Sequence, residues 1–177
     1  MEKSVDQAAF RGALSRFASG VTVVSTVHDD VDHAMTASAF TSVSLIPPLV
    51  LVCSNKGSRF HEAVVQSGRW AVSILNERGL EASAWFAHRG RPLEGQFADI
   101  EHHRSPGGMA LLDHALAWLE CETEATHEGG DHLIIVGRVV WADYQDETDD
   151  PLLYYRSHYG SIVRHEESEK TAYRGGR

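Results

Sequence analysis

Cysteine is scarce in this chain. Only Cys53 and Cys121 occur in 177 residues, far apart and each inside an apolar, strand-like run. Two buried thiols in a reducing compartment fit that usage better than a disulfide, so the cytoplasm is the expected location. No apolar run approaches the ~18–20 residues that cross a bilayer, so no membrane association is expected. Met1 to Asp6 has no apolar core of a secretory leader, so none is expected. Positive charge is also short. Sixteen Lys and Arg stand against 25 Asp and Glu, a formal net charge of −9. That balance argues against a nucleic-acid surface, although backbone amides and one or two local cations can still hold a small anion.

Several motifs are missing. There is no GxGxxG, so no Rossmann dinucleotide site is indicated. HExxH, paired-cysteine metal spacing, a GxSxG elbow and a Walker ending are also absent. Glu101-His102-His103 is a poor metal site, because neighbours on a strand point to opposite faces. No metal is expected, and no internal repeat or second domain is visible.

What is present reads mainly as short strands. Phe10, Ala13, Leu14 and Phe17 follow helical spacing, with Asp6 as N-cap and Gly20 as the stop. Residues 21–27 are rich in β-branched side chains and predict a strand. Asp29-Asp30 then turns the chain into a hairpin whose return arm carries Met35 to Phe40. Pro47-Pro48 interrupts, and residues 49–53 read as a strand buried on both faces. A helix over 58–67 stops at Gly68. Residues 70–75 form a strand and 80–87 a short helix. The polar stretch 88–108 reads as a long loop with a weak strand. Residues 118–125 and 132–141, joined across Glu128-Gly129-Gly130-Asp131, form the clearest hairpin. A last apolar run covers 152–156. Hairpins without regular helical crossovers predict a mainly β fold: an antiparallel barrel with peripheral helices.

Three places offer chemistry. Thr36-Ala37-Ser38-Ala39 lets a ligand ring approach the backbone, though such a strip also suits a crowded strand. Ser54-Asn55-Lys56-Gly57-Ser58-Arg59 ends a strand, turns and starts a helix, which makes a ready anion site; an ordinary Ser58 cap with solvated Lys56 and Arg59 explains it equally well. Gly130-Asp131-His132 sets an imidazole at a rigid strand start, but the chain has eleven histidines and composition alone favours a surface role.

Residues 10–24 (FRGALSRFASGVTVV), 34–44 (AMTASAFTSVS), 47–50 (PPLV) and 116–121 (LAWLEC) resemble, in order and spacing, the flavin reductase-like family. So do Gly130-Asp131-His132, Gly137-Arg138-Val139, residues 151–156 (PLLYYR) and Tyr159. The resemblance implies an FMN-binding split β-barrel, a six-stranded antiparallel Greek key over residues 1–163, with a disordered tail at 164–177. It implies a homodimer with flavin near the subunit interface. The activity implied is reduction of FMN or FAD by NADH or NADPH, with hydride passing from nicotinamide to flavin. Reduced flavin would then diffuse to a separate monooxygenase. A flavin carrier or sensor of the same barrel, or a split-barrel flavin oxidase, is the alternative.

By the same resemblance Thr36, Ala37 and Ser38 lie along the flavin ring, with Ala39 beside them. Ser54, Asn55, Lys56, Ser58 and Arg59 lie near the flavin phosphate. His132 lies by flavin and nicotinamide as the residue of catalytic interest. Tyr155 and Tyr159 are aromatic neighbours. The chain departs from the family over 86–97, where Gly95-Gln96 stands in place of an aspartate-arginine pair before Phe97. His88, Arg89 and Arg91 there are candidates for a cofactor phosphate.

Overall fold

The computed structural model describes residues 5–146 and 149–163. Helix α1 (Gln7–Leu14) starts at Asp6, whose carboxylate accepts the Ala9 N–H at 3.2 Å. It ends at Ser15, short of the expected stop at Gly20, which instead falls in strand β1 (Ser19–Gly20). The chain leaves the helix early because the Arg16 and Phe17 amides bond to Ala13 and Leu14 carbonyls in a tightened last turn.

β2 (Thr22–His28) and β3 (Val31–Ala37) form the predicted hairpin. Asp29 and Asp30 both hold positive φ, 51° and 59°, the two-residue turn whose twist matches the flanking strands. β4 (Phe40–Leu45) and β5 (Pro48–Asn55) form a second hairpin. α2 (Arg59–Ser67) follows, capped by Ser58 and stopped by Gly68 at φ 66°. Then come β6 (Arg69–Leu75), a single 3₁₀ turn, and α3 (Leu80–Ala87). A small ladder of β7 (His102–Arg104) and β8 (Ala110–Leu112) precedes the long hairpin β9 (Ala115–Gly129) and β10 (His132–Tyr144). β11 (Leu153–Tyr155) and β12 (His158–Gly160) complete the described chain. The tail expected from 164 onward lies outside the described residues.

The main sheet runs β3-β2-β6-β9-β10-β5-β4, antiparallel at every pairing. Its two edge strands, β3 and β4, are separated in the chain only by Ser38 and Ala39. The sheet therefore curls until its edges meet, which makes a barrel. Counting β3 and β4 as one strand broken at that point gives the six strands expected.

Two cores result. Val24, Val52, Trp70, Val72, Cys121 and Ile135 fill the barrel, and Phe60 and Val64 of α2 close one end of it. Val21, Val23, Leu75, Trp118 and Leu152 form a second core outside the wall, under Ala82 and Phe86 of α3 and under Phe97 and Leu111. β2 and β6 are thus the strands covered on both faces. β5, expected to be so, alternates buried with half-buried residues, and Cys53 is half-buried. The stretch 88–108 is the expected long loop with one short strand, β7, and it packs as a layer over the sheet. Arg104 clasps both oxygens of Asp32 at 2.5 and 2.7 Å, and buried Glu120 accepts from Arg69 at 2.6 Å and from the Gly107 amide at 2.8 Å.

Candidate functional site

Two cavities open along the strand that closes the barrel. The first, about 310 Å³, is walled by Ala34, Met35 and Thr36 of β3, by the β5–α2 turn and by residues 86–91. Local chemistry builds the turn. Asn55 accepts the Gly57 amide on Oδ1 at 2.9 Å and the Ser58 amide on its carbonyl at 3.0 Å. Ser58 donates its hydroxyl to the same carbonyl at 2.8 Å and accepts the His61 amide at 3.2 Å. Asn55 and Ser58 thereby aim the start of α2 at the cleft, so that the Arg59 and Phe60 amides, which precede the capped His61 amide, are the first-turn donors on that side.

The electrostatics of this cleft are one-sided. Arg59, Arg89, Arg91 and His88 line it, and among the described residues no carboxylate does. In a chain of net charge −9 that is a local reversal of sign. Arg59 donates to the Arg91 carbonyl at 2.6 Å, which ties α2 to the 86–91 wall. Arg91 is half-buried; burial first and the neighbouring Arg59 second push its pKa below the ordinary arginine range.

The second cavity, about 600 Å³, takes Ser38 and Ala39 at the strand break, Phe40 and Leu51, with Leu14, Phe17 and Tyr154 opposite. Its walls are mostly apolar. Thr36 faces the first cavity and Ser38 the second, two residues or about 7 Å apart along the strand. A ligand lying along this strand touches both.

The predicted site residues divide. Thr36, Asn55, Ser58, Arg59 and Arg89 meet in the first cleft, and Ser38 and Ala39 in the second. Ala37 between them is buried in the barrel core. Ser54 shares the inward face of β5 with Val50 and Val52, and its hydroxyl has no hydrogen-bond partner among the described residues. Lys56 turns away from the cleft. Its ammonium donates to the Gly130 carbonyl at 2.8 Å and pairs with Glu128, fastening the β9–β10 turn to the β5–α2 turn. His132 lines neither cavity. It stands directly opposite Asn55 in the ladder and bonds Asp131 at 2.8 Å. That bond holds the Asp131 carboxyl below its ordinary range. Tyr155 lines neither cavity and lies under the Arg156 guanidinium. Tyr159 bonds Ser83 at 2.8 Å, and the Ser83 carbonyl accepts the Thr36 hydroxyl at 2.6 Å, so Tyr159 reaches the site through α3.

Sequence reasoning missed Tyr154, Arg11 and Arg156, which line the second cavity. The readable signal was the apolar spacing of Phe10, Leu14 and Phe17, side chains that the fold leaves exposed. Among the described residues no grouping of His, Cys, Asp and Glu is placed to hold a metal, and no helix is long and apolar enough to cross a membrane.

The flavin reductase-like domain matches residues 14–163. The chain belongs to the flavin reductase-like family. A reductase subunit of a flavin-dependent monooxygenase, HsaB of Mycobacterium tuberculosis, is 37% identical over 172 residues, 97% of this chain and 88% of that protein. The reductase component of a 4-nitrophenol 4-monooxygenase/4-nitrocatechol 2-monooxygenase of Rhodococcus opacus is 40% identical over 159 residues, covering 90% of this chain and 83% of that one. Among solved structures, the NADH:FAD oxidoreductase SgcE6 of Streptomyces globisporus C-1027, in complex with NAD and FAD fragments, superposes with a TM-score of 0.86 at 31% identity. That match covers 92% of this chain and 96% of the other. Membership in the flavin reductase-like family accounts for the barrel and its closing strand.

Proposed function

We propose that this flavin reductase-like chain is the NADH-dependent reductase component of a two-component monooxygenase, reducing FMN or FAD and releasing it to a separate oxygenase. The observation that carries the reading is the basic cleft at the start of α2, which no carboxylate lines among the described residues. Its residues fit a flavin phosphate. Arg59 and Arg89 supply charge, the first turn of α2 supplies amide donors, and Asn55 and Ser58 hold that turn in place. Small Ser38 and Ala39 next along the strand leave room for a planar ring against the backbone. Bound flavin and nicotinamide supply the redox chemistry, a hydride leaving nicotinamide C4 for flavin N5. The chain's part is to fix the ligand's phosphate, align the rings and keep water out. No side chain need donate a proton, so no single substitution is expected to abolish turnover.

The chain acts as a homodimer. Phe10 and Leu14 of α1 and Phe17 just beyond it are 56%, 57% and 80% exposed, and Leu45 and Ile46 at the β4–β5 tip are 88% and 94% exposed. A self-complementary partner surface covers so much apolar side chain most simply, and it covers the second cavity with it. Free Cys53 and Cys121 and a nicotinamide donor fit the cytoplasm.

A charged hydrogen bond contributes about 1.5–3 kcal/mol, so Arg59→Ala is expected to weaken flavin binding about ten- to a hundredfold in a fluorescence titration. Lys56→Ala should change it little, since Lys56 is engaged by the β9–β10 turn. Unchanged affinity in Arg59→Ala would put the phosphate elsewhere.

A further inference from the structure

Arg91 has its guanidinium built into the cleft wall. Four of its five N–H groups are committed: Nε to Gln96 Oε1 at 3.1 Å, Nη1 to the Phe86 and His88 carbonyls at 2.9 and 3.0 Å, and one Nη2 hydrogen to the Ala34 carbonyl. Every acceptor is neutral. Gln96 is buried, and its amide nitrogen donates to the Asp32 carbonyl at 2.5 Å, so the group orienting Arg91 is itself fixed from both ends. Thus β3, the end of α3 and the 88–91 turn all converge on one cation.

The contrast with other arginines matters. Arg69 pairs with Glu120, Arg78 with Asp149, Arg104 with Asp32 and Arg138 with Glu124. Acidic residues outnumber basic ones here, yet half-buried Arg91 meets no carboxylate among the described residues. An arginine cannot shed its proton to escape burial. A buried charge without a counter-ion is costly unless something supplies one. Arg59 beside it adds to the need.

We infer that Arg91, oriented by Gln96, is a phosphate-binding residue of the cleft, leaving one Nη2 hydrogen and a full unneutralised charge for the ligand's phosphate. This rests on the reading that the cleft takes the flavin phosphate. A phosphate monoester carries about −1.5 to −2 at neutral pH, which Arg59 and Arg91 together neutralise. Gln96 also explains the departure at 95–96 from the family's usual run. A neutral amide there accepts from Arg91 Nε, which the arginine of the family's aspartate-arginine pair, having no acceptor, could not do.

The test compares FMN with riboflavin, which has the same ring and no phosphate. Dissociation constants for both are measured by fluorescence quenching in the wild type, Arg91→Gln, Arg91→Lys and Arg59→Ala, with folding checked by circular dichroism. In Arg91→Gln the FMN constant is expected to rise at least about tenfold while that for riboflavin stays within about twofold. Arg91→Lys keeps the charge and is expected to lose less of the preference for FMN. Parallel loss of both ligands would make Arg91 a wall strut only and overturn the inference, as would an unchanged FMN constant. If Arg91→Gln fails to fold, equal loss of both ligands in Arg91→Lys overturns it. Arg59→Ala separates the two levels. If it loses FMN selectively and Arg91→Gln does not, this inference fails alone; if neither does, the cleft reading fails with it.

Discussion

His132 shows how a single residue's role follows from its neighbours. Its ring does not line the cleft, but its ladder partner Asn55 does, and Lys56 locks the turn behind it. Cross-strand partners sit about 4.5–5.5 Å apart at Cβ, so the imidazole stands at the rim, where a second nucleotide laid over the flavin would meet it. We propose a positioning role. His132→Asn is expected to slow hydride transfer or raise the NADH KM by roughly ten- to a hundredfold, with flavin affinity unchanged. An unaltered rate, KM and pH profile would make it a bystander. At this scale the legible features were local ones. Asp6, Ser58 and Gly68 could be read as helix caps because a cap involves only its own turn. Ser54 and Lys56 could not be resolved in the same way. Which face of β5 looks into the barrel, and what the β9–β10 turn offers a lysine, depend on strands more than seventy residues away.

Elements were legible where period and punctuation agreed. Helix α3 over 80–87 and the long β9–β10 hairpin stand where alternation and glycines put them. Burial on both faces was assigned to β5 instead of β2 and β6, because a short apolar run does not reveal that α3 and the 95–112 layer cover only one side of the barrel. The same close packing makes a prediction at Gly137 in β10, beside a register shift against β9. A Cβ there would lie 2.3 Å from the Trp70 ring and 3.0 Å from the Cys121 Cβ. Trp70 is fully buried in the barrel core and has no room to retreat. Overpacking of this kind costs about 1–3 kcal/mol. At this chain length each kcal/mol lowers Tm by about 2–4 °C. Gly137→Ala should therefore melt measurably lower, whereas Gly160→Ala, with open space at its Cβ position, should not. Equal melting of the two would mean the barrel interior is looser than described.

For the whole molecule, the exposed Leu14 of α1 and Phe17 just beyond it line the cavity at Ser38 and Ala39, so assembly and the flavin site are coupled in this account. Phe17→Glu is expected to shift light scattering from dimer towards monomer and to weaken flavin binding with it. A fully active monomer would separate the two. The barrel and the activity were legible because the motifs run collinearly over nearly the whole chain. The one-sided charge of the cleft was not, since Arg59 and Arg91 are far apart in sequence and each resembles any solvated arginine. The central claim is that this chain transfers hydride from NADH to a flavin held by its phosphate in that cleft. Anaerobic stopped-flow mixing of the FMN-loaded protein with NADH tests it most directly. The account predicts rapid loss of oxidised-flavin absorbance in the wild type, and in Arg59→Ala the same limiting rate reached only at higher FMN. Bound flavin that stays oxidised in the presence of excess NADH would contradict it and leave a flavin carrier in its place.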